Sequence, residues 1–365
     1  MAYTEIDNPT EYFSVNTWTA DDTTPRSFTG FGHQPDLLWV KHRGSASISP
    51  TIIDSVRGGD KMLATPTTAA EDTKSHGEVT AFGSDGITVA DGTNATYPKL
   101  YFNDLDPFGA SVGGEYVCWS WKASGSTASN SSGDMTSTVS ANTDAGFSIV
   151  SWTGDGTAGN TVGHGLNSAP EFILTKALAD GTSSWGGYHI GADATAPEDY
   201  DMQIDGNGAR IDTANMLNDT APTSSLVTLG GATYSNHSSN PMIMYAWHSV
   251  QGYSKCGSYT GNGNADGTFV YTGFRPAWVI VKSTASGAGW NIHDAKRDTY
   301  NEMNKQLYAN SNAADGSSRP IDFLSNGFKQ RGTTSDVNNS GDTFFYTAFA
   351  EAPFVNSNGV PCNAR

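Results

Sequence analysis

Cationic charge is scarce in this chain of 365 residues: 20 Lys and Arg stand against 37 Asp and Glu, leaving a net charge of −17 at pH 7. Such a field repels phosphate backbones and anionic lipid surfaces, so nucleic acid is not an expected partner. Cysteine is almost absent. Cys118, Cys256 and Cys362 show no C-x-x-C spacing and leave at least one thiol unpaired, and Cys118 sits in an apolar run where it reads as a small core residue. No apolar stretch approaches the roughly 18 residues of a membrane span. The opening Met1-Ala2-Tyr3-Thr4-Glu5-Ile6-Asp7 has neither a basic start nor an apolar segment. No secretory signal is therefore expected, and the chain is expected to be made in a cytoplasm and to leave it, if at all, by another route.

What the chain does have is 41 Gly, with Ser, Thr and Asn between short apolar runs. That composition points to an all-β protein with many turns, and the length to two or three domains. One pattern recurs three times. An aromatic-Thr turn is followed about 18 residues later by Pro and an apolar strand ending in Lys: Trp18-Thr19 then Pro35 to Lys41, Trp152-Thr153 then Pro170 to Lys176, and Tyr259-Thr260 then Pro276 to Lys282. Trp278 to Val281 shows no alternation and reads as buried on both faces.

The expected architecture is three tandem jelly-roll-like β-sandwich repeats over 1–123, 146–252 and 253–354, with a C-terminal tail over 355–365. Residues 124–145, almost all Ser, Thr, Gly, Ala and Asn, read as a flexible linker. In the outer repeats the turns Ser84-Asp85-Gly86 and Ser325-Asn326-Gly327 are expected to use left-handed Asx residues and glycines of positive φ.

Several segments imitate chemical motifs. Gly154 to Gly159 matches G-x-G-x-x-G, but no helix start follows to meet a pyrophosphate, so a hairpin loop is expected. Gly109-Ala110-Ser111-Val112-Gly113 matches the nucleophile elbow, yet leads into a strand rather than a helix. Asn262 to Gly267 resembles half a calcium loop, with Gly273 where the bidentate Glu belongs, and reads as a turn. The eight histidines show no metal-ligand spacing. No cofactor is implied.

Asp54/Arg57 and Asp294/Arg297 recur at one offset, as ligand-gripping groups or, the expected reading, as ion pairs pinning a loop; in the second repeat Tyr188-His189-Ile190 stands in their place. Trp185 and Trp290 lie 15 and 14 residues beyond their Pro, as residues packed under a loop or as platforms for a sugar ring.

The opening Met1 to Thr4 with Ile6-Asp7, the Pro-strand-Lys units, Phe323 to Phe328 and Ala348 to Phe354 together resemble virion structural proteins of marine bacteriophages, tail-fibre-like or surface-fibre-like proteins with tandem Gly-rich β-sandwich repeats. The resemblance implies a non-enzymatic virion component, a tail-fibre or receptor-binding protein, with a capsid decoration or head-fibre protein as the alternative. Its expected partners are further copies in a trimer or hexamer, other virion proteins, and a bacterial surface glycan or protein. It implies a place on the virion surface, reached by assembly in the host cytoplasm and release by lysis. A free carbohydrate-binding lectin or adhesin using Trp185 and Trp290 is the reading from a different class.

Overall fold

The structure is a computed structural model, in which residues 4–109, 113–285 and 287–363 are described. About 40 % of it is strand and 5 % helix, which makes it all-β. Helical structure is confined to short turns such as Thr233–Asn236 and Ser335–Asn338.

The first stretch forms β1 (Phe13–Thr19), β2 (Arg26–Thr29), β3 (Leu37–His42), β4 (Thr51–Asp54), β5 (Gly58–Ala64), β6 (Asp72–Thr73), β7 (Glu78–Gly83), β8 (Gly86–Ala90) and β9 (Glu115–Trp121). The second forms β10 (Ala128–Asn130), β11 (Ser137–Asn142), β12 (Phe147–Thr153), β13 (Thr161–Gly163), β14 (Phe172–Ala177), β15 (Gly186–His189), β16 (Tyr200–Asp201), β17 (Ile211–Asp212), β18 (Leu226–Thr228) and β19 (Pro241–Trp247). The third forms β20 (Ser254–Thr260), β21 (Phe269–Tyr271), β22 (Phe274–Ser283), β23 (Asn291–Asp294), β24 (Leu307–Tyr308), β25 (Ile321–Leu324), β26 (Gly327–Gln330) and β27 (Thr343–Pro353).

Three large antiparallel sheets result: sheet I in the order β1-β9-β3-β4-β5-β6, sheet II β10-β11-β12-β19-β14-β15 and sheet III β20-β27-β22-β23-β24. In each, the closing strand of the stretch lies between its opening strand and its Pro-led strand. The last strand thus returns across the whole stretch to pair at the sheet centre. Smaller sheets, β2-β8-β7, β13-β18 and β21-β26-β25, cover the outer faces.

Successive residues of the Pro-led strands serve two different cores. Leu37 and Trp39 of β3 enter a central cluster, whereas Leu38 and Val40 pack outward beneath β2, β7 and β8. In β22, Trp278 and Ile280 point inward while Val279 and Val281 point outward. Burial of both faces explains why these strands read as unbroken apolar runs. The central cluster draws on all three sheets. Trp121 meets Trp278 at 5.6 Å between ring centroids and Trp247 at 5.8 Å, both edge-on, and Phe13 stacks on Phe349 at 4.9 Å. Edge-to-face geometry suits the positive rims and negative faces of these rings.

Two expectations need correction. Residues 124–145 are not a free linker: β11 pairs with β12 from Thr138↔Ser151 to Asn142↔Phe147, and Val139 is buried in the outer core of sheet II. Small Ser, Thr and Ala side chains read as a flexible tether, yet they suit a strand that must lie close against a neighbour. The turn glycines also work differently. Neither Asp85 nor Asn326 is left-handed, and of the two glycines only Gly86 has positive φ, at 151°. Both are required because a neighbouring strand passes too close: a Cβ would lie 1.9 Å from the Phe28 carbonyl oxygen at Gly86 and 2.0 Å from that of Val270 at Gly327.

Because the largest core is shared, the three sheets are expected to unfold together. Urea titrations followed by tryptophan fluorescence and far-UV circular dichroism should give one coincident transition. Separate transitions for the stretches would show that their cores are independent.

Candidate functional site

The recurring polar residues sit where one sheet meets the next. Asp54, His189 and Asp294 occupy the same register, each opposite the start of its Pro-led strand: Leu37, Phe172 and Trp278. Each reaches across to the final strand of another sheet. Tyr245 of sheet II donates its hydroxyl to Asp54 Oδ2 at 2.7 Å, and Trp119 of sheet I donates Nε1 to Asp294 Oδ2 at 3.0 Å. His189 Nδ1 accepts from the Gly191 amide at 2.9 Å, so in the neutral ring Nε2 carries the proton and donates to Thr347 Oγ1 of sheet III at 3.1 Å. The contacts run from sheet I to II, II to III and III to I. Tyr245, Trp119 and Thr347 are themselves equivalent, paired with Leu174, Trp39 and Ile280.

The arginines complete these joints. Arg57 Nε lies 2.6 Å from Asp54 Oδ2, and its Nη1 donates to Glu71 at 2.9 Å. Arg297 Nε lies 2.5 Å from Asp294 Oδ2, and its Nη1 donates to Asp315 at 2.8 Å, which also accepts from Arg43 Nε at 3.0 Å. Burial disfavours the Asp294 carboxylate, yet the adjacent Arg297 holds its pKa below the ordinary value. Both arginines are occupied and turned inward, with no donor fork presented to a carboxylate ligand.

Trp185 and Trp290 are not sugar platforms: their relative exposures are 0 % and 1 %. Trp185 Nε1 donates to the Ala64 carbonyl of the first stretch and Trp290 Nε1 to the Gln203 carbonyl of the second, both at 3.2 Å. In the first stretch Thr65 Oγ1 donates to the Ala309 carbonyl of the third at 2.6 Å. The lysines near the ends of the Pro-led strands are buried as well. Lys176 Nζ donates to the Thr68 carbonyl at 2.8 Å and Lys282 Nζ to that of Gly208 at 2.9 Å, each bridging to the preceding stretch. Lys41 Nζ donates to the Ser45 carbonyl at 3.0 Å. Burial pushes Lys41 down to about 7 and Lys176 and Lys282 down to about 8.

Elsewhere the motif look-alikes resolve as turns. Asp155 of the Gly154 to Gly159 loop accepts from the Thr157 amide at 2.9 Å and from Asn236 Nδ2 at 2.7 Å, and strand β13 follows rather than a helix. Asn262 Oδ1 accepts from the Asn264 amide at 3.0 Å, and Asn264 Oδ1 from the Asp266 amide at 2.9 Å, so the oxygens of the calcium-like loop cap their own backbone. Ser111 lies outside the described residues. Among the described residues, no group of three or more His, Cys, Asp and Glu is placed to hold a metal ion.

Crevices open at each junction: about 330 Å³ beside β1, about 440 Å³ beside β12 and about 620 Å³ beside β20. In the last, Glu171 accepts from the Ser249 amide at 3.2 Å and Asp193 from Arg210 Nη1 at 2.8 Å. The cross-sheet partners Tyr245, Trp119 and Thr347 escape a reading by residue type because they differ chemically; the signal is their common place in the closing strand.

Two measurements follow from this packing. Arg297→Met leaves Asp294 buried without its counter-charge and should cost about 3–5 kcal/mol in chemical denaturation. Trp290→Ala should cost a similar amount, about 3–5 kcal/mol, as a cavity in a core. A loss under 1 kcal/mol for either would refute its role at the junction.

Acid should also loosen the fold. Burial pushes His33, His42 and His164 down to about 4, and His189 and His293 down to about 3. Their unfolded pKa is about 6.5. The unfolded chain therefore binds more protons below that pH, and stability falls as pH drops from about 6.5 to 4. Asp201, which burial raises to about 6, works in the opposite direction and offsets part of the loss. Thermal scans at constant ionic strength should show a lower Tm at pH 4.5 than at pH 7; a flat profile would contradict the burial of these imidazoles.

No curated protein and no solved structure matches the chain. One family does, described as "Domain of unknown function (DUF7483)", over residues 8–353. That match begins just before β1 and ends with β27, so the family's unit is the whole set of three interlocked sheets. The chain belongs to the DUF7483 family.

Proposed function

We propose that the protein is a non-enzymatic structural component of a bacteriophage virion, a tail-fibre or receptor-binding protein that presents turns and loops at the particle surface. The observation that carries this reading is the fate of the recurrent polar residues. Asp54, Arg57, Asp294, Arg297, Trp185 and Trp290 are all spent on joining one sheet to another. Repetition here serves a scaffold, as a surface-presenting protein requires. Three copies of one strand pattern, each with a closing strand inserted between its opening strand and its Pro-led strand, form this scaffold within one chain.

Further support comes from the surface. A net charge of −17 favours solubility outside a cell. Among the described residues, no helix is long and apolar enough to cross a membrane. Among the described residues the large aromatic side chains left exposed are Phe108 in the first stretch and Phe269, Tyr271 and Tyr300 in the third, and these are the rings available for a host glycan or protein. Both faces of the three large sheets are already covered, so association with further copies uses edges and loops rather than sheet faces.

The test is location. Quantitative mass spectrometry of purified particles, with immunogold labelling, should find the protein in a fixed copy number at the tail. Labelling over the head would assign it to capsid decoration, and absence from particles would end the virion reading.

A further inference from the structure

The opening strands of the three large sheets are equivalent in register but differ in what covers their outer edges. Phe13 stands opposite Trp121, Phe147 opposite Trp247 and Ser254 opposite Phe349, and those three partners pair in turn with Leu37, Phe172 and Trp278. In sheet II the edge is filled: Asn142, Ser140 and Thr138 of β11 pair with Phe147, Ile149 and Ser151. In sheet III the chain's own turn closes the start of it. The Ser254 amide donates to Val250 O at 2.9 Å, the Val250 amide to Ser254 O at 3.2 Å, and the Cys256 amide to Ser249 Oγ at 2.9 Å.

Sheet I has neither cover. The Lys122 amide donates to Tyr12 O and the Ala20 amide to Gly114 O, which turns the even-numbered residues of this strand toward β9. The N–H and C=O groups of Phe13, Val15 and Thr17 therefore point away from the sheet. Among the described residues no strand pairs with them. Beside them lies the crevice of about 330 Å³, walled by Phe13 to Asn16 on one side and by Ala277, Ala295 and Ala350 of the third stretch, with Lys296 and Glu351, on the other. Phe13 and Val15 are 1 % and 5 % exposed, so little of this part of the edge meets bulk water.

We propose that this crevice is a strand-acceptor site, in which an extended segment of another protein adds antiparallel to β1. Edge addition supplies the main-chain hydrogen bonds that the outward groups lack. The chemistry of the guest is set by two observations. The strand that fills the equivalent place in sheet II, Ser137-Thr138-Val139-Ser140-Ala141-Asn142, carries no charge and mostly small side chains. The far wall sets three alanines, Ala277, Ala295 and Ala350, beside Lys296 and Glu351, one charge of each sign, so it favours small side chains without net charge. The guest is accordingly an uncharged segment rich in Ser, Ala and Thr. The inference rests on register and on the lining of the crevice, and stands apart from the virion reading.

A labelled, end-capped peptide copying residues 136–143 is the probe, titrated into the full chain by fluorescence anisotropy. Saturable binding is expected, with slowed amide exchange at Phe13, Val15 and Thr17. Val15→Pro removes an outward N–H that makes no bond to β9, and should weaken binding at least 10-fold. Ala277→Trp fills the crevice without altering the strand and should do the same, so a folding failure of one variant leaves the other as the test. Circular dichroism and thermal scans establish that each variant is folded. No binding at millimolar peptide, binding unchanged in a folded variant, or full protection of the three amides in the free monomer would overturn the proposal. A dimer in solution that Ala277→Trp dissociates would assign the slot to a second copy and overturn its assignment to a different protein.

Discussion

Everything in this structure depends on the joints at which a side chain beside one Pro-led strand reaches the closing strand of another sheet. Asp54 with Tyr245, His189 with Thr347 and Asp294 with Trp119 make one joint three times, with three chemistries. Each sits at the border of a core filled from all three sheets. A sheet that lost its joint would expose its tryptophan-bearing inner face, and the other two would lose the partner that completes theirs. The cost of burying these polar groups is met only while all the sheets are present, since an unpaired buried charge or donor is expensive. Cooperativity is therefore a consequence of where the polar residues lie.

The strict Pro-led strand has a related physical origin. A strand with cores on both sides has no wet face, so it tolerates no alternation, and its polar residue must come at the end. Lys41, Lys176 and Lys282 stand one residue before those ends, each with its ammonium turned to backbone carbonyls. In two of the three the carbonyl belongs to the preceding stretch, so the same residue that stands near a strand's end also fastens a loop. The outer sheets, by contrast, have one exposed face and need contribute only half as much apolar surface.

Much of this was legible in the chain. Strand identity followed from β-branched and aromatic runs between Gly, Asn and Asp, and burial of Trp278 to Val281 on both faces followed from their lack of alternation. The offset shared by Asp54/Arg57 and Asp294/Arg297 pointed to an ion pair at a fixed place, and the geometry there is a side-chain pair with the aspartate also accepting from its loop amides. Trp185 and Trp290 resisted such reading because Gly/Ser surroundings signal exposure locally, whereas their burial is supplied by loops more than 80 residues away in the chain. The stretch 124–145 misled for the opposite reason. Its small polar residues lack any apolar period, and its order comes from the edge of β12, from the pairing of β10 with β11 and from bonds to β13.

By itself, then, the sequence determined the local alphabet of this protein: short strands, tight turns, three copies of a Pro-strand-Lys pattern and an acidic surface. These are set by residues near one another, through backbone preferences and the spacing of apolar side chains. It took the tertiary structure to settle that the three stretches share one core, that the repeated aspartates and tryptophans look inward across junctions, and that, among the described residues, the edge of β1 has neither the covering strand of β12 nor the covering turn of β20. Those outcomes depend on contacts between distant segments, and a pattern confined to one stretch carries no record of which neighbour will cover it.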